Sequence, residues 1–409
     1  MLYSLHEFQH AAFSPVRAAL EIQHSTLTNP FNPLSYTPMG RAVAAACDVI
    51  EHATRRFGKP RFGITETEVE GRTVPVAEEI VARWPFMQLK RFARAGSDDD
   101  PRLLIVAPLS GHYATLLRDT VRAMVPHFDT YITDWRDARK VPAAEGRFDL
   151  DDYIDLTIDL LRRLGPGCRV MAVCQPSVPV LAAAALLAQD RDPARPAAMV
   201  LMGGPVDARI NPTEPNRFAL SHPIEWFERR VIGRVPMMYP GFTRRVYPGF
   251  VQLAGFMAMN LDRHIDAHLE MFHRLVRGDG EGAATHRGFY DEYRAVMDLP
   301  AEYYLQTIHQ VFQKFELARG VMTSRGRRIE PRAMTDVALM TVEGERDDIS
   351  GLGQTEAAHR LCPNLPAARR LHYVAPKVGH YGVFNGRRWR ESTAPKVVAF
   401  LRKAARRAR

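Results

Sequence analysis

The chain has 409 residues, 46% hydrophobic and 25% charged, the composition of an ordinary soluble globular protein. That length holds a large core with room for an insertion, and no run of 18 uncharged apolar residues offers a membrane span. Four scattered cysteines (Cys47, Cys168, Cys174, Cys362) argue against a disulfide framework or a structural zinc site, and the net charge of +9 comes without a nucleic-acid motif.

The N-terminus carries no basic region followed by a long apolar one, so a cytoplasmic protein is expected. Residues 1–60 read as a helical extension interrupted by Pro30, Pro33 and Pro38. Residues 61–80 alternate apolar and polar around Glu70-Gly71, which predicts an antiparallel hairpin, with a third strand over 86–92. From there the pattern turns to α/β alternation. Strands are expected at 103–107, 130–135, 168–173 and 197–202, with helices at about 114–125, 150–164 and after Cys174. Continuous apolar strands between helices predict a mostly parallel sheet covered on both faces.

The alternation stops after Pro205 and resumes at Val337. The intervening stretch is rich in Met and aromatic residues and repeats Tyr239-Pro-Gly-Phe242 as Tyr247-Pro-Gly-Phe250. Helices are expected around 290–296 and 301–315. The expected organisation is an extension (1–60), a first core part (61–205), a cap insertion (206–335) and a second core part (336–409). Phe242 and Phe250 are candidate substrate-binding residues near the mouth of the site; the alternative is that such residues form the cap's own core. The tail Leu401-Arg-Lys-Ala-Ala-Arg-Arg-Ala-Arg reads either as a solvated helix end or as a surface drawn to anions.

Cys174 stands where the apolar strand Cys168–Val173 runs into an apolar helix with Pro176 in its first turn. A nucleophile at such a corner projects from the sheet beside free backbone N–H groups, which can hold the oxyanion of an attacked carbonyl. Gln175 N–H is one expected donor; the other is expected at Leu109 or Ser110, after the first parallel strand. Asp347, three residues after Gly344, is the candidate acid, with Asp348 its surface alternative. His380, between Gly379 and the Tyr381-Gly382 pair, is the candidate base, ahead of His112, His359 and His372. Nucleophile, acid, histidine is the chain order of an α/β-hydrolase triad. His264 and His268 lie one helical turn apart without the glutamate of a His-Glu-x-x-His motif, and no phosphate-binding glycine loop occurs, so neither metal nor cofactor is expected.

These residues, with Ala107-Pro-Leu-Ser-Gly-His112, Val173-Cys-Gln-Pro176, Met202-Gly-Gly-Pro205, Thr341-Val-Glu-Gly-Glu345 and Gly379-His-Tyr-Gly382, give the chain its resemblance to the intracellular polyhydroxybutyrate depolymerases of polymer-storing bacteria. The resemblance spans nearly the whole chain and includes the Ala172-x-Cys174-x-Pro176 elbow. It implies a cysteine triad on Cys174, Asp347 and His380. It also implies a cytoplasmic enzyme acting on amorphous poly(3-hydroxybutyrate) at the granule surface and releasing 3-hydroxybutyrate units. Two alternatives stand beside it: a polyhydroxyalkanoate synthase-like acyltransferase, and a granule-associated protein without catalysis. Sulfur chemistry leaves open whether water or a thiol resolves the acyl-enzyme.

Overall fold

Strands that are apolar on both faces need cover on both faces, and this requirement organises the fold. The computed structural model describes residues 2–259 and 261–405. One nine-stranded sheet contains β1 (Glu66–Val69), β2 (Arg72–Arg83), β3 (Met87–Arg94), β4 (Arg102–Val106), β5 (Asp129–Trp135), β6 (Arg169–Val173), β7 (Ala198–Met202), β8 (Ala338–Gly344) and β9 (Arg370–Ala375). Its order is β1-β2-β3-β5-β4-β6-β7-β8-β9. The six strands from β5 to β9 in that order are parallel, and β1 to β3 add an antiparallel edge. Strands β5, β6, β7 and β8 are buried along their whole length. This is the α/β-hydrolase architecture. The hairpin turns at Glu70 and Gly71, both at positive φ, as a two-residue loop requires.

The N-terminal extension is two helices, α1 (Leu2–Thr28) and α2 (Pro38–Thr54), the second capped by the Thr37 hydroxyl on Gly40 N–H at 3.0 Å. Helix α3 (Leu150–Leu164) starts in a capping box between Asp149 and Asp152 and stops at Gly165, at the bounds its apolar period predicts. Helix α4 (Ser177–Gln189) is buried almost throughout. The expected helix at 114–125 is a 3₁₀ turn, Ala114–Leu117, followed by Arg118–Met124.

Between β7 and β8 the chain builds a three-stranded ribbon (Gly233–Arg234, Arg245–Tyr247, Leu299–Pro300). The same stretch holds α5 (Gly249–Met259), α6 (Leu261–Arg277), α7 (Gly280–Arg294) and α8 (Ala301–Thr307). The helix expected at 290–296 is the end of α7, and the chain beyond it is extended. There Val296 pairs with His112 in an isolated antiparallel bridge and Met297 N–H donates to Gly111 O at 2.7 Å, so backbone pairing overrides helical period. The expected 301–315 helix is α8 widening into π-helical turns over Ile308–Gln313. The N-terminal helices are tied to this inserted region. Arg287 pairs with Asp48, and Asp291 accepts from His52 Nε2 at 2.9 Å and from Arg55 at 2.7 Å. Helix α9 (Ala394–Ala405) closes the fold with Arg402 and Lys403 in its last turn. The basic residues after 405 lie outside the described residues. Among those described, no helix is long and apolar enough to cross a membrane.

Candidate active site

Strand β6 delivers the chain to Cys174 at φ +67°, a left-handed conformation that a non-glycine residue holds only when its surroundings compel it. Those surroundings are visible. Cys174 N–H donates to Met202 O at 2.7 Å and Ser177 N–H donates to Cys174 O at 3.1 Å, locking the corner between β6 and α4. The crowding explains Gly203-Gly204 at the end of neighbouring β7. A Cβ on Gly204 would lie 2.0 Å from Ser177 Oγ and 2.6 Å from Cys174 O, and Gly203 itself is at φ +56° beside Asp347 and His380. The thiol of Cys174 is partly exposed, whereas Cys47, Cys168 and Cys362 are buried. Burial pushes the Cys168 and Cys362 thiols up to about 12, which leaves both inert as nucleophiles.

Asp347 follows the end of β8, its N–H donating to Gly344 O at 3.2 Å. Its carboxylate is shut from solvent and accepts from Ile349 N–H at 2.9 Å, from Ser350 N–H at 2.8 Å and from His380 Nδ1 at 2.8 Å. Asp348 next to it is exposed. His380 opens a 3₁₀ turn, His380–Val383, and is buried against Tyr381 and Phe384. Burial alone would lower its pKa. The Asp347 carboxylate and then the Cys174 sulfur outweigh that and hold it well above the ordinary histidine value. With Nδ1 engaged by Asp347, Nε2 is the nitrogen left for exchange with a thiol. Sulfur, imidazole and carboxylate thus meet at the C-terminal end of the parallel strands, from β6, the turn after β9 and the turn after β8.

The other histidines are committed elsewhere. His359 Nε2 and His372 Nδ1 both bond the Thr341 hydroxyl, at 2.9 and 2.8 Å. His112 is buried with its Nε2 on Tyr293 O at 2.9 Å, and desolvation lowers its pKa to about 4, so it stays neutral. His264 bonds the Tyr290 hydroxyl at 2.9 Å and His268 bonds His264 O at 2.7 Å, partners other than a metal. Glu343, Glu356 and His372 come together at metal-like spacing. The Glu343 carboxylate, however, already accepts from Gly353, Thr355 and Glu356 N–H at 2.8, 2.7 and 3.0 Å, so the group is a satisfied structural knot.

The N–H groups of Gln175, Leu109 and Ser110 donate to no acceptor among the described residues. The Leu109–Ser110 loop leaves β4, the sheet neighbour of β6. Ala107 at its root is pinned, its N–H donating to Thr133 Oγ1 at 2.9 Å and its carbonyl accepting from Trp135 Nε1 at 2.8 Å and Tyr153 OH at 3.1 Å. The two aromatic candidates are not brought to the triad. Phe250 stacks on His6 at 4.0 Å, edge-on to Tyr3, against α1, and Phe242 lies half-exposed in a turn. Sequence reasoning missed three tyrosines within electrostatic reach of the Cys174 sulfur, of which Tyr381 packs edge-on against His380. Burial holds Tyr153, Tyr303 and Tyr381 well above the ordinary phenol value, and the Cys174 sulfur acts on each in the same direction. Tyr153 and Tyr303 rings lie 5.6 Å apart, joining α3 to α8. Only Tyr381 carried a usable signal, its place beside His380.

The family model described as PHB de-polymerase C-terminus matches residues 203–405. The chain belongs to the polyhydroxybutyrate depolymerase family. The matched stretch takes in Asp347 and His380 and begins beyond Cys174. Family membership on this fold makes the chain an ester hydrolase. No curated protein matches the chain. Among solved structures, a soluble variant of monoglyceride lipase from Saccharomyces cerevisiae is similar with 10% identity and a TM-score of 0.48, over 82% of this chain and 97% of that one. A thermophilic esterase from Thermogutta terrifontis is similar with 16% identity and a TM-score of 0.40, over 84% and 98%. A putative aryl esterase from Burkholderia cenocepacia gives 15% and 0.42, over 81% and 100%.

Proposed function

We propose that this ester hydrolase is an intracellular poly(3-hydroxybutyrate) depolymerase acting through an acyl-cysteine. The observation that carries the reading is the strained Cys174 elbow facing a histidine whose other nitrogen is held by a buried carboxylate. The Cys174 thiolate attacks the ester carbonyl, and the oxyanion is held by Gln175 N–H and an N–H at Leu109 or Ser110. His380 gives its proton to the departing alkoxide of the polymer, leaving a thioester on Cys174. His380 then takes a proton from water as that water attacks the thioester, releasing a 3-hydroxyacyl acid and restoring the thiol. Asp347 keeps His380 in the tautomer and orientation that both steps need. The polymer and its granule surface are the partners of this reading, and the triad site, with its neighbouring tyrosines, is its acyl pocket. The test is Cys174→Ala on amorphous polymer. A loss on the order of 10³-fold or more, with unchanged melting, supports the reading; near-normal turnover overturns it. Product analysis with and without added CoA tells hydrolysis from transfer to a thiol.

A further inference from the structure

A second cavity of roughly 400 Å³ opens between the N-terminal helices and the inserted region, and no triad residue lines it. Its lining is strongly cationic. Arg55, Arg56 and Arg139 are answered by Asp291, Glu7 and Asp137. Arg294 is not. Its guanidinium donates to His52 O at 2.9 Å and sits over the Phe57 ring, but it has no carboxylate partner among the described residues. Burial lowers its pKa, the mark of a cation held out of water without a counter-charge. Lys140 also lines the cavity and is likewise without a carboxylate partner among the described residues. The rest of the lining is mixed: Phe57, Leu253 and the Phe250 ring stacked on His6 are apolar or aromatic, while Glu7, His10, Thr54, Tyr239 and Asp298 are polar.

A cavity with a partly buried cation that no carboxylate answers, beside the apolar faces of Phe57 and Leu253, fits an anion with an apolar body better than a bare anion. We propose that this cavity binds a short carboxylate-terminated oligoester, its carboxylate on Arg294 and its chain along Phe57 and Leu253. That this ligand is the enzyme's own product rests on the depolymerase reading; the binding itself does not. The floor of the cavity gives occupancy a route to the chemistry. Val296 and Asp298 line it, Met297 between them donates to Gly111 O, and Val296 pairs with His112. The candidate oxyanion loop and the cavity floor are therefore one hydrogen-bonded unit.

The test uses Cys174→Ala full-length protein, which cannot turn over the ligand, titrated calorimetrically with the linear 3-hydroxybutyrate dimer and separately with inorganic phosphate. Adding Arg294→Met should weaken dimer binding at least tenfold, and Leu253→Trp, which fills the cavity without touching charge, should do the same. In the otherwise wild-type chain, both changes should leave hydrolysis of a soluble ester near normal, which also shows that the variants fold. Dimer binding that survives both changes belongs to the catalytic centre and overturns the proposal. Phosphate binding as tight as the dimer overturns the ligand class. Failure of the parent chain to hydrolyse amorphous polymer would sink the depolymerase reading and leave these titrations intact.

Discussion

At the scale of single residues, Asp347 and His112 illustrate how environment assigns opposite roles to ionisable groups. Asp347 raises the His380 pKa, so the thiolate–imidazolium pair should persist to higher pH than an isolated histidine allows. Asp347→Asn keeps the shape and removes the charge. Turnover should fall steeply, by up to about 10⁴-fold, and the alkaline limb of kcat/KM should move to lower pH because His380 then loses its proton earlier. An unmoved alkaline limb would mean that Asp347 does not act through His380. His112 works in the other direction. Its folded pKa of about 4 lies below the ordinary histidine value, so as pH falls the unfolded chain takes up a proton that the native state refuses. Its contribution is intact above about 6.5 and is lost progressively down to about 4, on the order of 3 kcal/mol at most. Chemical denaturation of His112→Asn across that window should show a shallower acid decline than the parent chain; an identical slope would place the acid sensitivity elsewhere. The elbow, acid and base are legible in sequence because each follows a strand with a recognisable end. The tyrosines are not, because Tyr153 and Tyr303 occupy ordinary apolar positions of helices that meet only in three dimensions.

At the scale of elements, the site is a meeting of strand ends, and glycine permits the closest of those meetings. Gly204 carries this argument furthest, because its missing Cβ makes room for both a side chain and a backbone carbonyl of the neighbouring elbow. Gly204→Ala should push β7 away from α4 and cost about 1–3 kcal/mol of stability, with a larger loss of activity than of folded protein. Adding Ser177→Gly should recover only part of it, since the Cys174 carbonyl remains in the way. Full recovery by the double change would show that the hydroxyl alone sets the packing. The same scale explains where sequence patterning ran out. Strands β4 to β8 and helix α3 declare themselves through continuous apolar runs and caps, which are local signals. The segment after α7 reads as helical continuation, yet its N–H and C=O groups find partners on the loop after β4, a tertiary choice with no local trace. The Tyr-Pro-Gly-Phe repeats occupy different settings for a related reason. Equal tetrapeptides suggest equal roles, but the first closes a turn beside Arg139 and the second leads from a ribbon strand into α5 under the N-terminal helix.

At the scale of the whole molecule, the proposed action on a water-insoluble polyester requires the chain to meet a surface before it meets a bond. The exposed large apolar side chains include Phe8, Phe31 and Met39 on the N-terminal extension, and the sequence neighbours Met237, Met238 and Phe242 in the inserted region, at 81%, 67% and 49% exposure. Apolar groups clustered in water mark a binding face more often than chance exposure does. Phe250 belongs to a different class, since its stacking on His6 holds α1 in place, and Phe250→Ala should lower melting and depress both polymer and soluble-ester turnover together. The Met237/Met238/Phe242 cluster should behave otherwise. Burying one such side chain on a polymer is worth about 1.5–3 kcal/mol, a factor of ten to over a hundred in association. Changing all three to Ser should therefore reduce association with amorphous polymer by at least about tenfold, while hydrolysis of a short soluble ester and the melting temperature stay near wild type. Contact of this kind is insensitive to ionic strength, whereas attraction through the positive balance of the chain weakens as salt rises. Cosedimentation with polymer at low and high salt separates the two: the Ser variant should lose the salt-resistant part of binding and keep the salt-sensitive part. Equal losses on polymer and soluble ester would instead make these residues supports of the fold, and the search for the polymer-facing surface would move to Phe8, Phe31 and Met39.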